Sequence, residues 1–305
     1  MERKTKEIKK LIRKGYAKVA TQRISCCSSS FCCGSANSSR DISKAVGYSD
    51  EEMKAVPDSA NLGLGCGNPV AIASLKEGEI VLDLGSGAGF DAFLAAAKVG
   101  ITGKVIGIDM TPEMVNKARE NARKGNYPNV DFKLGEIENL PVKDNSVDVI
   151  ISNCVINLSP DKKSVFSEAF RVLKPGGRLM ISDLVLVKDL PDAIKNSAEA
   201  YVGCLAGAVM KNDYIACIEE AGFKDVRVLS QTNHPIEAMA LRNRTAISRT
   251  QSRESSRFHG ANDATAKAVM SSLLISQQDI KDLENVVVSI KVQALKPAGM
   301  ISREK

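Results

Sequence analysis

The sequence contains no tryptophan, and aromatic residues make up only 4% of its 305 positions. Its core is therefore expected to be aliphatic, and platforms on which nucleic-acid bases could stack are scarce. Histidine is almost as rare, since only His234 and His259 are present, both in polar, turn-rich sequence. We expect neither histidine to be catalytic, and we expect no nucleic-acid partner.

Long apolar runs are missing as well. No stretch approaches the roughly 18 apolar residues that span a bilayer, and the N-terminus lacks the apolar centre of a signal peptide. We therefore predict a cytoplasmic protein without a membrane partner. In that compartment the eight cysteines are not expected to form structural disulfides. They are expected to bind a metal, to be redox-active or to be buried.

Positive charge is concentrated at the N-terminus, where residues 1–23 carry nine lysines and arginines against two glutamates. Apolar residues within this segment recur at helical spacing. The pattern predicts a basic helix that lies on the main domain, with a helix on a nucleic-acid or membrane surface as the alternative. A serine- and cysteine-rich loop follows at residues 25–40, so residues 1–60 are interpreted as an N-terminal segment.

Beyond residue 60, short apolar strands alternate with helices. This alternation predicts a doubly wound, mostly parallel α/β sheet. The predicted strands are 79–85, 103–110, 129–137, 146–158, 177–186, 225–231 and 285–295. The predicted helices are 90–100, 111–125, 163–174 and 192–223. Residues 231–305 are interpreted as a C-terminal α+β extension that contains a polar, basic linker at 242–262.

The stretch VLDLGSGAGFDAF, residues 81–93, places three alternating glycines between a predicted strand and a predicted helix. Such glycines let a ligand approach the backbone closely, and the helix N-terminus offers free N–H groups. Asp109 ends the next strand, where a carboxylate can bind a ribose diol. A dinucleotide-binding loop would require glycine where Phe90 stands, which disfavours a nicotinamide dehydrogenase.

With an acid ahead of its first glycine, this loop resembles motif I of class I S-adenosylmethionine-dependent methyltransferases. The stretches GEIENLPVKDNSVDVIISN (135–153) and RVLKPGGRLMISD (171–183) resemble later motifs of the same enzymes. The resemblance implies a methyltransferase domain over residues 61–230 with S-adenosylmethionine as its cofactor. The cofactor-binding residues that it implies are Asp83, Gly85, Ser86, Gly87, Gly89, Asp109, Met110, Glu136, Ile137 and Asn153.

Three cysteines stand in separate contexts, Cys66 in NLGLGCGNP, Cys154 in SNCVINL and Cys204 in YVGCLAGA. Cys154 follows the core of the fourth predicted strand, at the sheet edge where open α/β folds bind ligands. The separations follow no metal-ligand spacing, and composition alone is compatible with three ordinary buried thiols.

Together these stretches resemble the cysteine signatures of arsenite S-adenosylmethionine methyltransferases, over roughly residues 40–230. The resemblance implies that Cys66, Cys154 and Cys204 bind trivalent arsenic, as arsenite or methylarsenite, and that the protein methylates it in arsenic detoxification. Trivalent arsenic is a soft ion that suits thiolate ligands. Its lone pair can attack the sulfonium methyl group without the prior removal of a proton.

Methylation formally oxidises arsenic, so repeated turnover requires reduction back to the trivalent state. The resemblance implies an additional N-terminal cysteine that forms a transient disulfide with one of the binding thiols. The candidates are the pairs Cys26–Cys27 and Cys32–Cys33, with Cys32 or Cys33 favoured. Glutathione-like small thiols or thioredoxin would reduce such a disulfide. Cys217 is expected to be a buried helix residue.

Two other functions stay open on the sequence alone. The chain could methylate a small organic acceptor and carry structural cysteines, in which case Cys154→Ser would leave it largely active. It could also be a thiol-based sensor of a metalloid or metal with a vestigial cofactor pocket. The intact glycine-rich loop and Asp109 argue against the sensor.

Overall fold

The computed structural model describes residues 2–21, 39–190, 207–233 and 286–298. The cysteines outside these ranges are Cys26, Cys27, Cys32, Cys33 and Cys204. Both histidines and the predicted linker at 242–262 also lie outside them. The predictions for these residues therefore stay predictions.

Seven strands form one sheet at the centre of the molecule. They are β1 (Ile80–Leu84), β2 (Lys104–Asp109), β3 (Val130–Leu134), β4 (Val147–Asn153), β5 (Leu173–Leu186), β6 (Lys224–Asn233) and β7 (Val287–Leu295). Their order is β3-β2-β1-β4-β5-β7-β6. The first five are parallel to one another, whereas β7 runs antiparallel to β5 and β6. The predicted doubly wound, mostly parallel fold is confirmed.

Helices cover both faces of this sheet. They are α1 (Glu2–Thr21), α2 (Ser39–Ala45), α3 (Asp50–Lys54), α4 (Pro69–Ile72), α5 (Phe90–Val99), α6 (Pro112–Lys124), α7 (Lys162–Val172) and α8 (Lys211–Glu220). Pro112 begins α6 directly after Thr111, within one residue of the start of the predicted helix 111–125. The helix predicted at 192–223 is described only from residue 207 onward, where residues 207–210 are not helical.

Two strand boundaries differ from the predicted ones by at least four residues. Strand β4 ends at Asn153, because Cys154 has a φ of 61°, which an extended strand cannot accommodate. A short 3₁₀ turn at Ile156–Leu158 occupies the rest of the predicted strand. Strand β5 begins at Leu173, four residues before its predicted start, because the chain leaves α7 in extended conformation and pairs with β4 at once.

Aromatic and aliphatic side chains fill the core on both faces of the sheet. On one face, Phe166 of α7 meets Tyr214 of α8 edge-to-face, with ring centroids 5.5 Å apart. On the other, Phe93 of α5 meets Phe132 of β3 in the same way at 5.6 Å. Each fully buried ring of this size stabilises the fold by about 1.5–3 kcal/mol.

The basic helix α1 lies on the main domain, as the sequence predicts. Its Ile12 is only 1% exposed, and Lys117 of α6 donates a hydrogen bond to the Ala20 carbonyl at the end of the helix. Lys9 pairs with Glu138 at 3.1 Å. Within the described part of the chain, none of the helices has both the length and the apolar character needed to cross a membrane.

Candidate active site

A cavity opens at the carboxyl ends of β1 and β4, the edge at which open α/β sheets bind ligands. Helix α1 covers one side of it through Lys9, Ile12 and Tyr16, a contribution that the sequence did not reveal. The predicted cofactor-binding residues that line this cavity are Asp83, Gly85, Ser86, Gly87, Asp109, Met110, Ile137 and Asn153.

The glycine-rich loop after β1 forms the floor of the cavity, and its glycines are required by shape. Gly85 has a φ of +66°, and a Cβ there would lie 2.6 Å from the Cβ of Val155. Gly89 has a φ of +98°, and a Cβ would lie 2.7 Å from the rings of Phe93 and Phe132. Gly89 does not line the cavity itself. It allows the loop to pack closely against the two rings instead.

Asp109 connects this loop to the end of β2. One carboxylate oxygen accepts the N–H of Gly87 at 3.0 Å, and the other accepts the N–H of Thr111 at 2.8 Å. Burial raises the pKa of Asp109, and these backbone hydrogen bonds counteract the increase. The carboxylate is thus fixed at the cavity wall with remaining acceptor capacity, as the predicted contact with a ribose diol requires.

Two further carboxylates give the floor of the cavity an acidic character. Asp83 and Asp91 are 2% and 8% exposed. Burial raises the pKa of Asp83 well above its usual value, and the nearby Asp91 and Asp109 raise it further. Burial also raises the pKa of Asp91, to about 6. Oδ2 of Asp83 is buried and has no hydrogen-bond partner among the described residues. This arrangement is suited to a cationic ligand group.

Asn153, the last residue of β4, ties the acidic floor to the Cys66 turn. Its side-chain oxygen Oδ1 accepts the backbone N–H of Cys66 at 3.0 Å. Its amide nitrogen donates to the carbonyl of Gly67 at 2.8 Å and to Asp91 at 2.9 Å. The same nitrogen lies 2.8 Å from the hydroxyl of Tyr48, which donates to Asp91. No sequence pattern indicated a role for Tyr48.

Glu136 lies beside the cavity and does not line it. Its carboxylate accepts hydrogen bonds from Lys9 at 2.7 Å and from Arg13 at 3.1 Å, both on α1. The hydrogen bond from Lys9 is the main cause that lowers the pKa of Glu136. Its predicted contact with the cofactor stays a prediction, whereas its observed contact fixes the helix that covers the cavity.

The turn that carries Cys66 packs tightly against β5. A Cβ on Gly67 would overlap the hydroxyl of Ser182 and lie 2.9 Å from its Cβ, so only glycine fits. The carbonyl of Ser182 accepts the N–H of Cys154 at 2.8 Å and the thiol of Cys66 at 3.5 Å. Ser289 of β7 holds the turn from the other side through the Cys66 carbonyl at 2.9 Å.

These contacts bring two of the three predicted arsenic ligands together. Cys66 and Cys154 are thiols, 3% and 4% exposed. Their sulfur atoms and one carboxylate oxygen of Asp183 all lie within 4.8 Å of one another. Cys154 itself lines the cavity and adopts a left-handed backbone conformation that is uncommon outside glycine and asparagine. Strain of this kind concentrates at functional sites. The third predicted ligand, Cys204, lies outside the described residues.

Asp183 was not predicted to be a site residue. It is fully buried on β5, where it accepts hydrogen bonds from the N–H of Leu184, the N–H of Asn157 and the hydroxyl of Tyr214. Burial raises the pKa of Asp183 to about 6, and these hydrogen bonds oppose the increase. Cys217 is on helix α8, as predicted, but it is only partly buried, so the prediction of a buried side chain is wrong.

Comparison with known proteins agrees with this architecture. The family described as "Methyltransferase domain" matches residues 75–222. The arsenite methyltransferase of Halobacterium salinarum is 48% identical over 234 residues, which are 74% of this chain and 60% of the relative. The arsenic(III) S-adenosylmethionine methyltransferase of Chlamydomonas reinhardtii has a solved structure that is 34% identical. It matches with a TM-score of 0.58 over 85% of this chain and 75% of that one. The chain belongs to the arsenite methyltransferase family.

The predictions of this family and of its class I fold are therefore confirmed. A second relative, the arsenite methyltransferase of Aquipseudomonas alcaligenes, is 42% identical over 58% of this chain. The chain spans 60% of the length of the Halobacterium protein and 53% of that of the Aquipseudomonas protein.

Proposed function

We propose that this chain transfers a methyl group from S-adenosylmethionine to trivalent arsenic held by Cys66, Cys154 and Cys204. The observation that carries the proposal is the pair of buried thiols, whose sulfur atoms lie within 4.8 Å of each other. One of them, Cys154, lines the cavity whose floor is the glycine-rich loop. The names of the relatives in Halobacterium and Aquipseudomonas support the same activity.

The cavity fits the charge of the cofactor. When bound, S-adenosylmethionine supplies an electrophilic methyl group on a positively charged sulfur, and it also carries an ammonium group. Asp83 offers a buried carboxylate oxygen that has no hydrogen-bond partner among the described residues, and Asp91 adds a second carboxylate beside it. Asp109 is held at the cavity wall by two backbone N–H groups and provides acceptors for the ribose hydroxyls.

The thiols fit the acceptor. Thiolates bind soft ions such as trivalent arsenic, and three sulfur ligands leave a pyramidal arsenic with one exposed lone pair. In an in-line displacement this lone pair forms the new bond to carbon while the sulfonium sulfur leaves with the electrons of the broken bond. No proton has to be removed from the acceptor, so the chain needs no general base at this step.

The product of each transfer is formally pentavalent, and two electrons must return before the next one. A thiol of the N-terminal pairs, Cys32 or Cys33, would form a disulfide with a binding thiol and deliver these electrons. Glutathione-like thiols or thioredoxin then reduce the disulfide. We propose the cytoplasm as the compartment, because thiol ligands are kept reduced there.

Arsenic speciation tests the proposal. Purified protein is incubated with arsenite, S-adenosylmethionine and a thiol reductant, and the products are separated by chromatography with elemental detection. Methylated arsenic should form above a no-enzyme control, and Cys154→Ser should abolish it. Cys217→Ser is the matched control, because this thiol on α8 is not part of the group formed by Cys66, Cys154 and Asp183, and it should keep full activity.

Three outcomes would contradict the proposal. An absence of methylated arsenic despite demonstrated binding of S-adenosylmethionine would leave a methyltransferase with another acceptor. Full activity in Cys154→Ser would show that the buried thiol is structural. Binding of arsenite without any methyl transfer would instead favour a thiol-based sensor.

A further inference from the structure

The two buried thiols have a neighbour of different chemistry. Sγ of Cys66, Sγ of Cys154 and a carboxylate oxygen of Asp183 form a triangle in which no two atoms are more than 4.8 Å apart. All three side chains are buried, at 3%, 4% and 0% exposure. From this juxtaposition we infer that Cys66, Cys154 and Asp183 form a binding site for a thiophilic divalent cation, Zn²⁺ or Cd²⁺.

The spacing of the three donor atoms suits such a cation. Zinc binds thiolate sulfur at about 2.3 Å and carboxylate oxygen at about 2.0–2.2 Å. Donors at these distances around a tetrahedral ion are separated by about 3.6–3.8 Å. The observed triangle, with edges of at most 4.8 Å, therefore needs to contract by no more than about 1.2 Å at any edge. Two thiolates and one carboxylate are a donor set that zinc accepts and that magnesium and calcium, which prefer oxygen, do not.

The carboxylate of Asp183 is already oriented and keeps acceptor capacity. Oδ1 accepts one hydrogen bond, from the N–H of Leu184 at 2.9 Å. Oδ2 accepts two, from the N–H of Asn157 at 3.2 Å and the hydroxyl of Tyr214 at 3.0 Å. A carboxylate offers about four lone-pair sites, so one on Oδ1 stays available among the described contacts. Hydrogen bonds that fix a ligating carboxylate in this way are typical of metal sites in proteins.

The charges of the site balance when a divalent cation enters. The cation displaces one proton from each thiol, M²⁺ + 2 RSH → M(SR)₂ + 2 H⁺, so the buried charge does not change. The remaining negative charge of Asp183 lies in the field of Lys162, a buried ammonium that donates to the carbonyls of Ser159 and Gly207 at 3.1 and 2.8 Å. An uncompensated buried charge, which would oppose binding, is thus avoided.

Binding of the cation at this site does not depend on which acceptor the enzyme methylates, and the test measures metal binding alone. The parent protein for the test is the full chain in which the cysteines outside the described residues are replaced by serine. These replacements are Cys26→Ser, Cys27→Ser, Cys32→Ser, Cys33→Ser and Cys204→Ser. The parent keeps Cys66, Cys154 and Cys217, so every thiolate ligand that it provides is known.

X-ray absorption at the zinc edge counts the sulfur ligands in this parent. With one equivalent of Zn²⁺, we expect two sulfur scatterers at about 2.3 Å and oxygen or nitrogen in the remaining positions. Asp183→Cys should raise the count to three, because a thiolate then replaces the carboxylate. Cys217→Ser should leave the count at two. Fewer than two sulfur ligands in the parent, or a count that Asp183→Cys does not change, would overturn the inference.

Affinity provides an independent readout. Competition with a chromophoric chelator should show that Asp183→Asn weakens Zn²⁺ binding on the order of ten- to a hundredfold. Asp225→Asn is the matched control, because this aspartate is exposed at the start of β6 and makes only a 4.0 Å ion pair with Arg227. It should bind Zn²⁺ as the parent does. Parent-like affinity in a folded Asp183→Asn would show that the carboxylate is not a ligand.

Discussion

Gly67 provides the sharpest structural test of how the Cys66 turn is held. The change Gly67→Ala adds a Cβ that would overlap the hydroxyl of Ser182 and lie 2.9 Å from its Cβ, a separation that real Cβ atoms essentially never show. Ser182 is on the central strand β5 and is fully buried, so it cannot move away easily. The turn must therefore move away from the sheet and carry Cys66 with it.

The expected cost follows from the size of this overlap. Forcing one extra carbon into a packed interior typically destabilises a protein by about 1–3 kcal/mol. We expect Gly67→Ala to fall in this range and to weaken arsenite binding, because Cys66 leaves its position beside Cys154. Urea unfolding measures the loss of stability, and equilibrium binding of arsenite measures the displacement of the thiol.

A double-mutant cycle assigns the loss to the contact itself. Ser182→Ala alone should change stability little, because the Ser182 hydroxyl is buried without a partner among the described residues. In the Ser182→Ala background, Gly67→Ala should cost less, since only the 2.9 Å approach to Cβ remains. A stability within about 0.5 kcal/mol of wild type for Gly67→Ala, or an equal loss in both backgrounds, would show that the contact with Ser182 does not hold the turn in place.

Three further predictions concern the cavity. Asn153→Ala removes hydrogen bonds to Cys66, Gly67 and Asp91, so calorimetry should show weaker binding of both arsenite and S-adenosylmethionine. Burial raises the pKa of Asp91 to about 6, so its ionised fraction should rise between pH 5 and 7. The affinity for the cationic cofactor should rise over the same range. Asp91→Asn should flatten this pH dependence. Lys9→Met removes the ion pairs of α1 with Glu136 and Glu138. It should weaken the packing of α1 on the main domain by less than about 1 kcal/mol, which amide hydrogen exchange would show as faster exchange in that helix.

The same carboxylates give the fold itself a pH dependence with a defined sign. Burial raises the folded-state pKa of Asp91 and of Asp183 to about 6, above the value of an unfolded aspartate near 3.8. The contribution of these two buried, protonated carboxyl groups to the free energy of unfolding is therefore complete below the unfolded pKa. It is lost as the pH rises through about 6. A cationic ligand or metal at the site offsets this loss.

Much of the architecture could be predicted from the sequence because local patterns determine it. The strand, glycine loop and helix between Ile80 and Val99 follow directly from apolar runs, glycine spacing and small helix-forming residues. Residues at the carboxyl ends of parallel strands meet at one edge by topology alone. This is why Asp83, Asp109 and Asn153, which the family resemblance assigns to one site, line the same cavity.

The remaining site residues depend on contacts that no local pattern encodes. Tyr48 reaches Asn153 across 105 positions of the chain, and Lys9 reaches Glu136 across 127. Asp183 stood inside a stretch already assigned to a methyltransferase motif, and its closeness to the two thiols results from the pairing of β4 with β5. Long-range packing of this kind becomes visible only in three dimensions.

A single-turnover experiment tests the central claim most directly. Protein that carries one equivalent of bound arsenite is mixed with S-adenosylmethionine labelled in its methyl group, and the label on arsenic is measured before any reductant is added. We predict up to one labelled methyl group per bound arsenic in the wild type and in Cys217→Ser, and none in Cys66→Ser or Cys154→Ser. Label on arsenic in both of these serine variants at the wild-type level would contradict the account.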